Sequence, residues 1–419
     1  MSGLLRRYGV HIARGRRVQG LPTETCLLVH GAAVGRDHPD RLRALRRGVE
    51  QTTPIAWFQA RLRSRLGVLV AGGREAGVVA AMIGWVLTRA GKDPLVLLGS
   101  PSPQLGGWAR CGTGAHAVAE WPASLASVAE VGPRLTVLMR VGGDPWMERA
   151  SWTQARRQYP ANNADAGDVL ALGHPSLVAE GEDAQRDPNR FAWLSLQRGS
   201  DWWGADLRDT EHGTRFRVFH RGRFVTEVAL QVRGVQQVVS ALAAVAACTR
   251  LEVPAAAVRE GLEEFAGLSR DFERRGSFRG VTLVDDASEE PGPVRETVAQ
   301  ARQAFGRRRL WVVLSVSDLP APGSLDRYLD ALAAADQVVV VAPPGEAATP
   351  ERDPGSQTLA ERLNTAGVPA RWEADLAGAI SELDRHLEPG DVLLTLGAGD
   401  VGTIADAFIR RLPRDRQGR

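Results

Sequence analysis

Gly67-Val-Leu-Val-Ala-Gly-Gly-Arg-Glu-Ala-Gly-Val-Val-Ala-Ala-Met82 is the stretch that decides how this chain is read. An apolar run, Val68 to Val70, enters a short glycine turn, and an apolar helix follows at once, with Val79, Met82, Ile83, Val86 and Leu87 along one side. A strand–turn–helix of this kind is where a phosphate-binding loop places G-x-x-G-K-[ST], with backbone N–H groups around the phosphates and a Lys on the terminal ones. Here the Lys position is Ala76 and the hydroxyl position is Gly77. Val78, Val79 and Ala80 offer no oxygen to a hard cation such as Mg²⁺. The scaffold of a nucleotide loop is present without its chemistry.

Outward from this loop the chain reads as α/β throughout. Its 419 residues imply two or three domains. Residues 1–65 hold a strand at 25–30, a Gly-Ala-Ala turn and a helix around 39–49, half of an α/β unit without a G-x-G-x-x-G fingerprint. Residues 66–267 alternate strand and helix, with strands at 68–70, 94–98 and 135–141. From 191 to 232 the pattern becomes strand after strand, expected to pair antiparallel, with His220-Arg-Gly-Arg as a hairpin tip. Helices at 238–250 and 254–265 close this part. Residues 268–419 alternate again, with strands at 281–285, 310–315, 337–342, 369–372 and 391–396, which predicts a doubly wound, mostly parallel sheet.

The formal net charge of +3 is small for this length and selects no acidic partner. The arginine-rich ends read as solvated tails, and no nucleic-acid partner is expected. Cys26, Cys111 and Cys248 are far apart, a reduced, cytoplasmic pattern rather than a disulfide framework. No stretch approaches the roughly 20 apolar residues of a spanning helix. The eight histidines show no paired ligand spacing, so no metal site is expected of them.

The order of parts, with several local strings, resembles the Mur ligases of peptidoglycan synthesis over nearly the whole chain, from about Thr25 to Leu412. Cys26-Leu-Leu-Val-His-Gly-Ala-Ala-Val-Gly followed by Asp37-His-Pro looks like the second half of that family's UDP-binding domain. Ser240-Ala-Leu-Ala-Ala-Val-Ala-Ala, Gly261-Leu-Glu-Glu-Phe-Ala-Gly-Leu-Ser-Arg-Asp-Phe and Val284-Asp-Asp-Ala-Ser-Glu-Glu-Pro look like its next three landmarks. Leu396-Gly-Ala-Gly-Asp-Val-Gly-Thr-Ile-Ala405 looks like its closing one. The resemblance implies a three-domain architecture. A truncated N-terminal Rossmann-like domain comes first, then a central P-loop-like α/β domain and a C-terminal Rossmann-like domain.

It also implies a chemistry that can be checked residue by residue. In the family, ATP phosphorylates a carboxylate and an amine attacks the acyl phosphate, a step that depends on cationic clamps. Ala76 and Gly77 stand at the loop Lys and hydroxyl. The acidic E-x-D-E-S-D string corresponds to Glu120-Trp-Pro-Ala-Ser-Leu125, where only Glu120 keeps a carboxylate and Ala123 takes the metal-ligating position. The Asp-His pair falls on Asp144-Pro145, and the H-N-x-x-N motif on Gln236-Gln-Val-Val-Ser240. The D-D-Y-x-H-x-P landmark keeps Asp285, Asp286 and Pro291 but holds Ala287, Glu289 and Glu290 at its aromatic and His positions. The G-R-R-F string becomes Ser269-Arg-Asp-Phe272, and the diphosphate-cradling glycine fingerprint has no counterpart.

These departures predict an impaired ligase homologue with a binding or scaffolding role, no catalytic residues and no cofactor. Its expected partners are peptidoglycan-synthesis or cell-division proteins. Any residual nucleotide site is expected at Gly72, Gly77, Gln236, Arg270 and Asp286. The alternatives are an active ATP- and Mg²⁺-dependent ligase rebuilt around Arg74, Arg270, Gln236 and Glu289/Glu290, and a nucleotide or UDP-sugar sensor without turnover. The four acids of 285–290 suit a helix start better than a metal site. The glycines of 397–402 suit close packing or a nucleotide turn equally.

Overall fold

The structure is a computed structural model, and it describes residues 21–31, 34–62, 64–72, 75–121, 131–139, 167–173, 190–210, 213–232, 234–316, 325–342, 354–397 and 399–411. Gly73, Arg74, Ala123, Asp144 and Pro145 lie outside these residues. The chain divides into two compact units, Met1–Ala266 and Gly267–Arg419.

The first unit opens with β1 (Leu27–Val29), α1 (Pro39–Arg46) and β2 (Glu50–Thr52), in which β1 and β2 pair in parallel as a sheet of their own. After α2 (Pro54–Leu62) the chain enters a ten-stranded sheet. Its first members are β3 (Leu66–Ala71), β4 (Leu95–Ser102), β5 (Gly107–Cys111), β6 (His116–Trp121) and β7 (Leu135–Leu138). The others are β8 (Asp168–Leu172), β9 (Phe191–Ser195), β10 (Trp202–Thr210), β11 (Gly213–His220) and β12 (Arg223–Leu230). The spatial order is β12-β11-β10-β9-β8-β7-β3-β6-β4-β5.

Strands from β10 through β4 in that order are parallel, and antiparallel pairing is confined to β5 on one edge and β11–β12 on the other. One expectation is corrected here. The segment from Phe191 pairs in parallel with both neighbours, Val169↔Phe191 on one side and Trp202↔Leu194 on the other. The neighbours that pair with it set its direction, and Ala192, Trp193 and Leu194 are all within the core, as in the interior of a parallel sheet. The hairpin tip is as expected. His220 pairs with Arg223 across Arg221 (φ 48°) and Gly222 (φ 77°), the left-handed pair that suits the twist of two antiparallel strands.

Helix α3 (Glu75–Arg89) runs from the end of β3 and is buried nearly all round, from Ala76 to Gly84 and again at Val86 and Leu87. It packs against α4 (Val235–Arg250) and α5 (Ala255–Glu263). Gly261 lets the last of these come close, since a Cβ there would stand 3.0 Å from Val86 Cγ2.

The second unit is a six-stranded sheet in the order β13-β14-β18-β15-β16-β17. It contains β13 (Glu273–Phe278), β14 (Val281–Asp286), β15 (Leu310–Ser315), β16 (Gln337–Val341), β17 (Ala370–Glu373) and β18 (Val392–Leu396). Only β13 is antiparallel. Because side chains alternate along a strand, the sheet builds two cores. Val284, Val312 and Leu394 pack with Val294, Tyr328 and Leu359 of α6 (Pro291–Phe305), α7 (Asp326–Leu332) and α8 (Pro354–Thr365). Leu283, Val313 and Leu393 pack with Leu383 and Phe408 of α9 (Leu376–His386) and α10 (Thr403–Ile409). This is the doubly wound arrangement expected of the segment. No helix among the described residues is long and apolar enough to cross a membrane.

Candidate functional site

The loop of the first unit lies between Ala71, where β3 ends, and Glu75, where α3 begins. Gly72 takes φ 104°, a conformation that a side chain would strain, so the tight exit from the strand requires glycine. Ala76 and Gly77 form the first turn of α3 and are buried. Neither supplies a charge or a hydroxyl. What stands beside them comes from β6, paired in parallel with β3 so that Val70 lies opposite Glu120.

That register brings the Glu120 carboxylate to the C-terminal end of β3. Its Oε2 accepts a hydrogen bond from the Gly99 N–H at 2.6 Å. A Cβ on Gly77 would lie 2.8 Å from the same oxygen, and one on Gly99 would lie 2.9 Å from both oxygens. Burial pushes the Glu120 carboxyl above the ordinary Glu value, and the Gly99 hydrogen bond only partly opposes this. Gly99 was not anticipated, although a glycine inside the run Leu97-Leu98-Gly99 is a signal of close approach. Gln236 is exposed in the first turn of α4.

In the second unit, Arg270 and Asp286 are held on adjoining backbone. The Ala287 N–H donates to the Arg270 carbonyl at 2.9 Å, and the Phe272 N–H donates to Asp286 Oδ2 at 2.8 Å. The Arg270 guanidinium donates from Nε to Asp285 Oδ2 at 2.8 Å, from Nη1 to the Gly399 carbonyl at 3.0 Å and from Nη2 to the Gly397 carbonyl at 2.5 Å. Asp285 is fully buried and also accepts from Thr395 Oγ1 at 2.7 Å. Asp286, equally buried, accepts from the Ser288 N–H at 2.9 Å through its other oxygen. Thr395 is the lone polar residue of β18, Val-Leu-Leu-Thr-Leu, and such a residue in a buried strand implies a partner.

The acids of 285–290 therefore have separate tasks, with Asp285 and Asp286 still in β14 and not at the helix start expected of all four. Asp285 neutralises Arg270, Asp286 organises the turn, and Glu290 occupies the N-cap position of α6. Among the described residues, no group of three or more His, Cys, Asp or Glu is placed to hold a metal ion. Two of the glycines that follow β18 lie in close packing. A Cβ on Gly397 would stand 2.0 Å from the Ser315 carbonyl oxygen, and one on Gly402 would stand 2.5 Å from Asp285 Oδ2. Of the expected site residues, the fold brings Gly72 together with Gly77, and Arg270 together with Asp286.

Residues 272–399 match the family model described as Mur ligase, glutamate ligase domain. The UDP-N-acetylmuramate–L-alanine ligase of Gloeobacter violaceus is 30% identical over 407 residues, covering 96% of this chain and 86% of that protein. The enzyme of the same name from Salinibacter ruber is 29% identical over 421 residues, covering 97% and 86%. Among solved structures, the fold matches UDP-N-acetylmuramate–alanine ligase from Thermotoga maritima with a TM-score of 0.76 at 21% identity, covering 98% of this chain and 90% of that one. It matches a murein peptide ligase from Psychrobacter arcticus with a TM-score of 0.70 at 20% identity over the same shares. With that identity spread over almost its full length, the chain belongs to the Mur ligase family.

Proposed function

We propose that this protein is a Mur-ligase homologue of the UDP-N-acetylmuramate–alanine type that has lost phosphoryl transfer and serves as a binding or scaffolding component in peptidoglycan synthesis. The observation that carries the reading is the first turn of α3, where buried Ala76 and Gly77 occupy the positions of the phosphate-loop Lys and hydroxyl. A charge-assisted hydrogen bond to a phosphate is worth roughly 1.5–3 kcal/mol, and this turn can make none through its side chains, which removes nucleotide affinity and transition-state stabilisation together. Ala123 and Pro145, at the family's metal-ligand positions, support it from the sequence. In the same reading the chain divides into domains near residues 65 and 267.

Residual nucleotide contacts fall, in this reading, to Gly72, Gly77, Gln236, Arg270 and Asp286. Arg270 and Asp286 are already hydrogen-bonded within the protein. A second reading, an active ATP- and Mg²⁺-dependent ligase with a rebuilt site, is favoured by the 30% identity to a named ligase across 96% of the chain. The internal commitment of Arg270 weighs against it, because a rebuilt clamp needs a free cation.

The test is a calorimetric titration with ATP·Mg²⁺ and UDP-N-acetylmuramate, followed by a phosphate-release assay with alanine present. No tight ATP·Mg²⁺ binding and no release above the protein-free control are expected. Release that a chelator abolishes would establish the active ligase instead.

A further inference from the structure

Far from the loop, the last three strands of the ten-stranded sheet carry a surface of their own. One face of β10 to β12 is buried, with Trp202, Phe216, Val218 and Val228 in the core. The other bears a row of rings. Trp203 stacks on Phe219 with centroids 4.3 Å apart and planes at 12°, and Phe219 meets Phe224 at 5.9 Å with planes at 72°. Phe224, on the edge strand, is 59% exposed.

That exposure is built into the strand. Counting by twos from the buried Leu230, Val228 and Thr226 puts residue 224 on the core face. The register instead steps from Val218↔Thr226 to Phe219↔Phe224, so Val225 is an extra residue and Phe224 is turned outward. The same bulge breaks the regular ladder and disfavours simple addition of another strand along β12. What remains on offer is the face. Charge brackets its row of rings: Arg198 stands 5.9 Å over Trp203 at one end, and Arg223 precedes Phe224 at the other. Both arginines are exposed, and neither meets a carboxylate among the described residues. Arg215 and Arg217, between them, are matched by Glu227 and Asp206.

We propose that the outer face of β10–β12 is a docking surface for an extended acidic segment of a partner protein, which lays apolar side chains on Trp203, Phe219 and Phe224 and carboxylates on Arg198 and Arg223. Aromatic and arginine side chains are enriched at the energetic centres of protein interfaces. The row with its two arginines spans roughly 15–20 Å, and an extended chain advances about 3.3 Å per residue with every second side chain on one face. Two acids about six positions apart, with two apolar residues between them, match it. A second copy of the chain would present the same unpaired arginines to these and fits less well. The surface gives the scaffolding role a point of contact, and it rests on that reading in no other respect.

The probe is the synthetic peptide Glu-Thr-Leu-Thr-Leu-Thr-Glu, titrated into the full chain by calorimetry, beside a control with Lys at both ends. Saturable binding of the acidic peptide with a Kd of about 10–100 μM is expected. Phe224→Ala is expected to weaken it at least about tenfold, and so is the pair Arg198→Glu with Arg223→Glu. These side chains are exposed, so Tm should stay within about 2 °C of the natural value. The charge-swapped chain is expected to prefer the Lys-ended peptide. No saturable binding of the acidic peptide overturns the proposal, as does equal binding of both peptides by the natural chain or indifference to Phe224→Ala. A dimer in sedimentation that Phe224→Ala dissociates assigns the face to a second copy and overturns it too. The titration decides the surface whether or not the chain releases phosphate, so its failure leaves the impaired-ligase reading untouched.

Discussion

A Cβ at Gly402 would stand 2.5 Å from Oδ2 of the fully buried Asp285, and 3.0 Å from the Arg270 Nε that donates to that oxygen. The glycine and the ion pair therefore depend on one another. The turn after β18 is shaped by the charge pair beneath it.

Two substitutions probe this dependence. Arg270→Ala removes the guanidinium bonded to the buried Asp285 and leaves Arg275 Nη1, 4.0 Å away, as its nearby cation, and a loss of about 3 kcal/mol is expected. Gly402→Ala keeps both charges and forces them apart, with an expected loss of about 1–3 kcal/mol. Equilibrium urea unfolding of the full chain measures both. A Gly402→Ala protein as stable as the natural one would show that the pair yields freely.

Stability should also decline on mild acidification. Burial is the first cause that lowers the pKa of His116 and of His220, the latter stacked on Trp202 with ring centroids 4.1 Å apart. Both rings thus take up a proton less readily in the fold than in the unfolded chain. Below about pH 6.5 the unfolded chain takes up protons that the folded chain refuses, so the stabilisation is complete above that pH and is lost as pH falls toward the folded pKa values. Each histidine contributes a slope of up to about 1.4 kcal/mol per pH unit in that window. His220→Gln should flatten the profile below about pH 6.5 in urea titrations. An unchanged slope would assign the acid sensitivity elsewhere.

Repairing the loop alone should not restore catalysis. Ala76→Lys with Gly77→Thr supplies one phosphate contact and one cation ligand, but the Thr Cβ would arrive 2.8 Å from Glu120 Oε2. Ala123 and Pro145 remain at the other metal positions. Groups that act as a unit recover little when one is mended. Alanine ligation at about 1 s⁻¹ or faster by this variant, a rate typical of working enzymes, would show the rest of the site to be intact.

Much of this architecture was legible in the residues. The apolar runs at β3 and β15 and the weaker one at β1 lie in three different sheets, as their separation implied. The alternation of strand and helix after residue 280 reported a parallel sheet with both faces covered. The direction of β9 was not legible. Orientation is set by which neighbours pair with it, and a short buried run carries no mark of that. Strand β6 was hidden too, because its small residues, Ala117, Val118 and Ala119, suit several conformations. The missing clamps at Ala76 and Gly77 could be seen directly, but the partnership of Glu120 with Gly77 and Gly99 joins residues from three elements. Only the sheet register brings them together.

The placement of β18 bears on how the second unit is made. This strand lies between β14 and β15, and Thr395 bonds an aspartate 110 residues earlier. On the ribosome, β14 and β15 emerge long before the strand that must separate them. They cannot adopt their final spacing until it arrives, and a pairing of β14 with β15 made in the meantime would have to be undone. The closure is also long-range, which slows it relative to local contacts. During synthesis the unit thus passes through an interval in which the edges of β14 and β15 that β18 will cover lack their final partner.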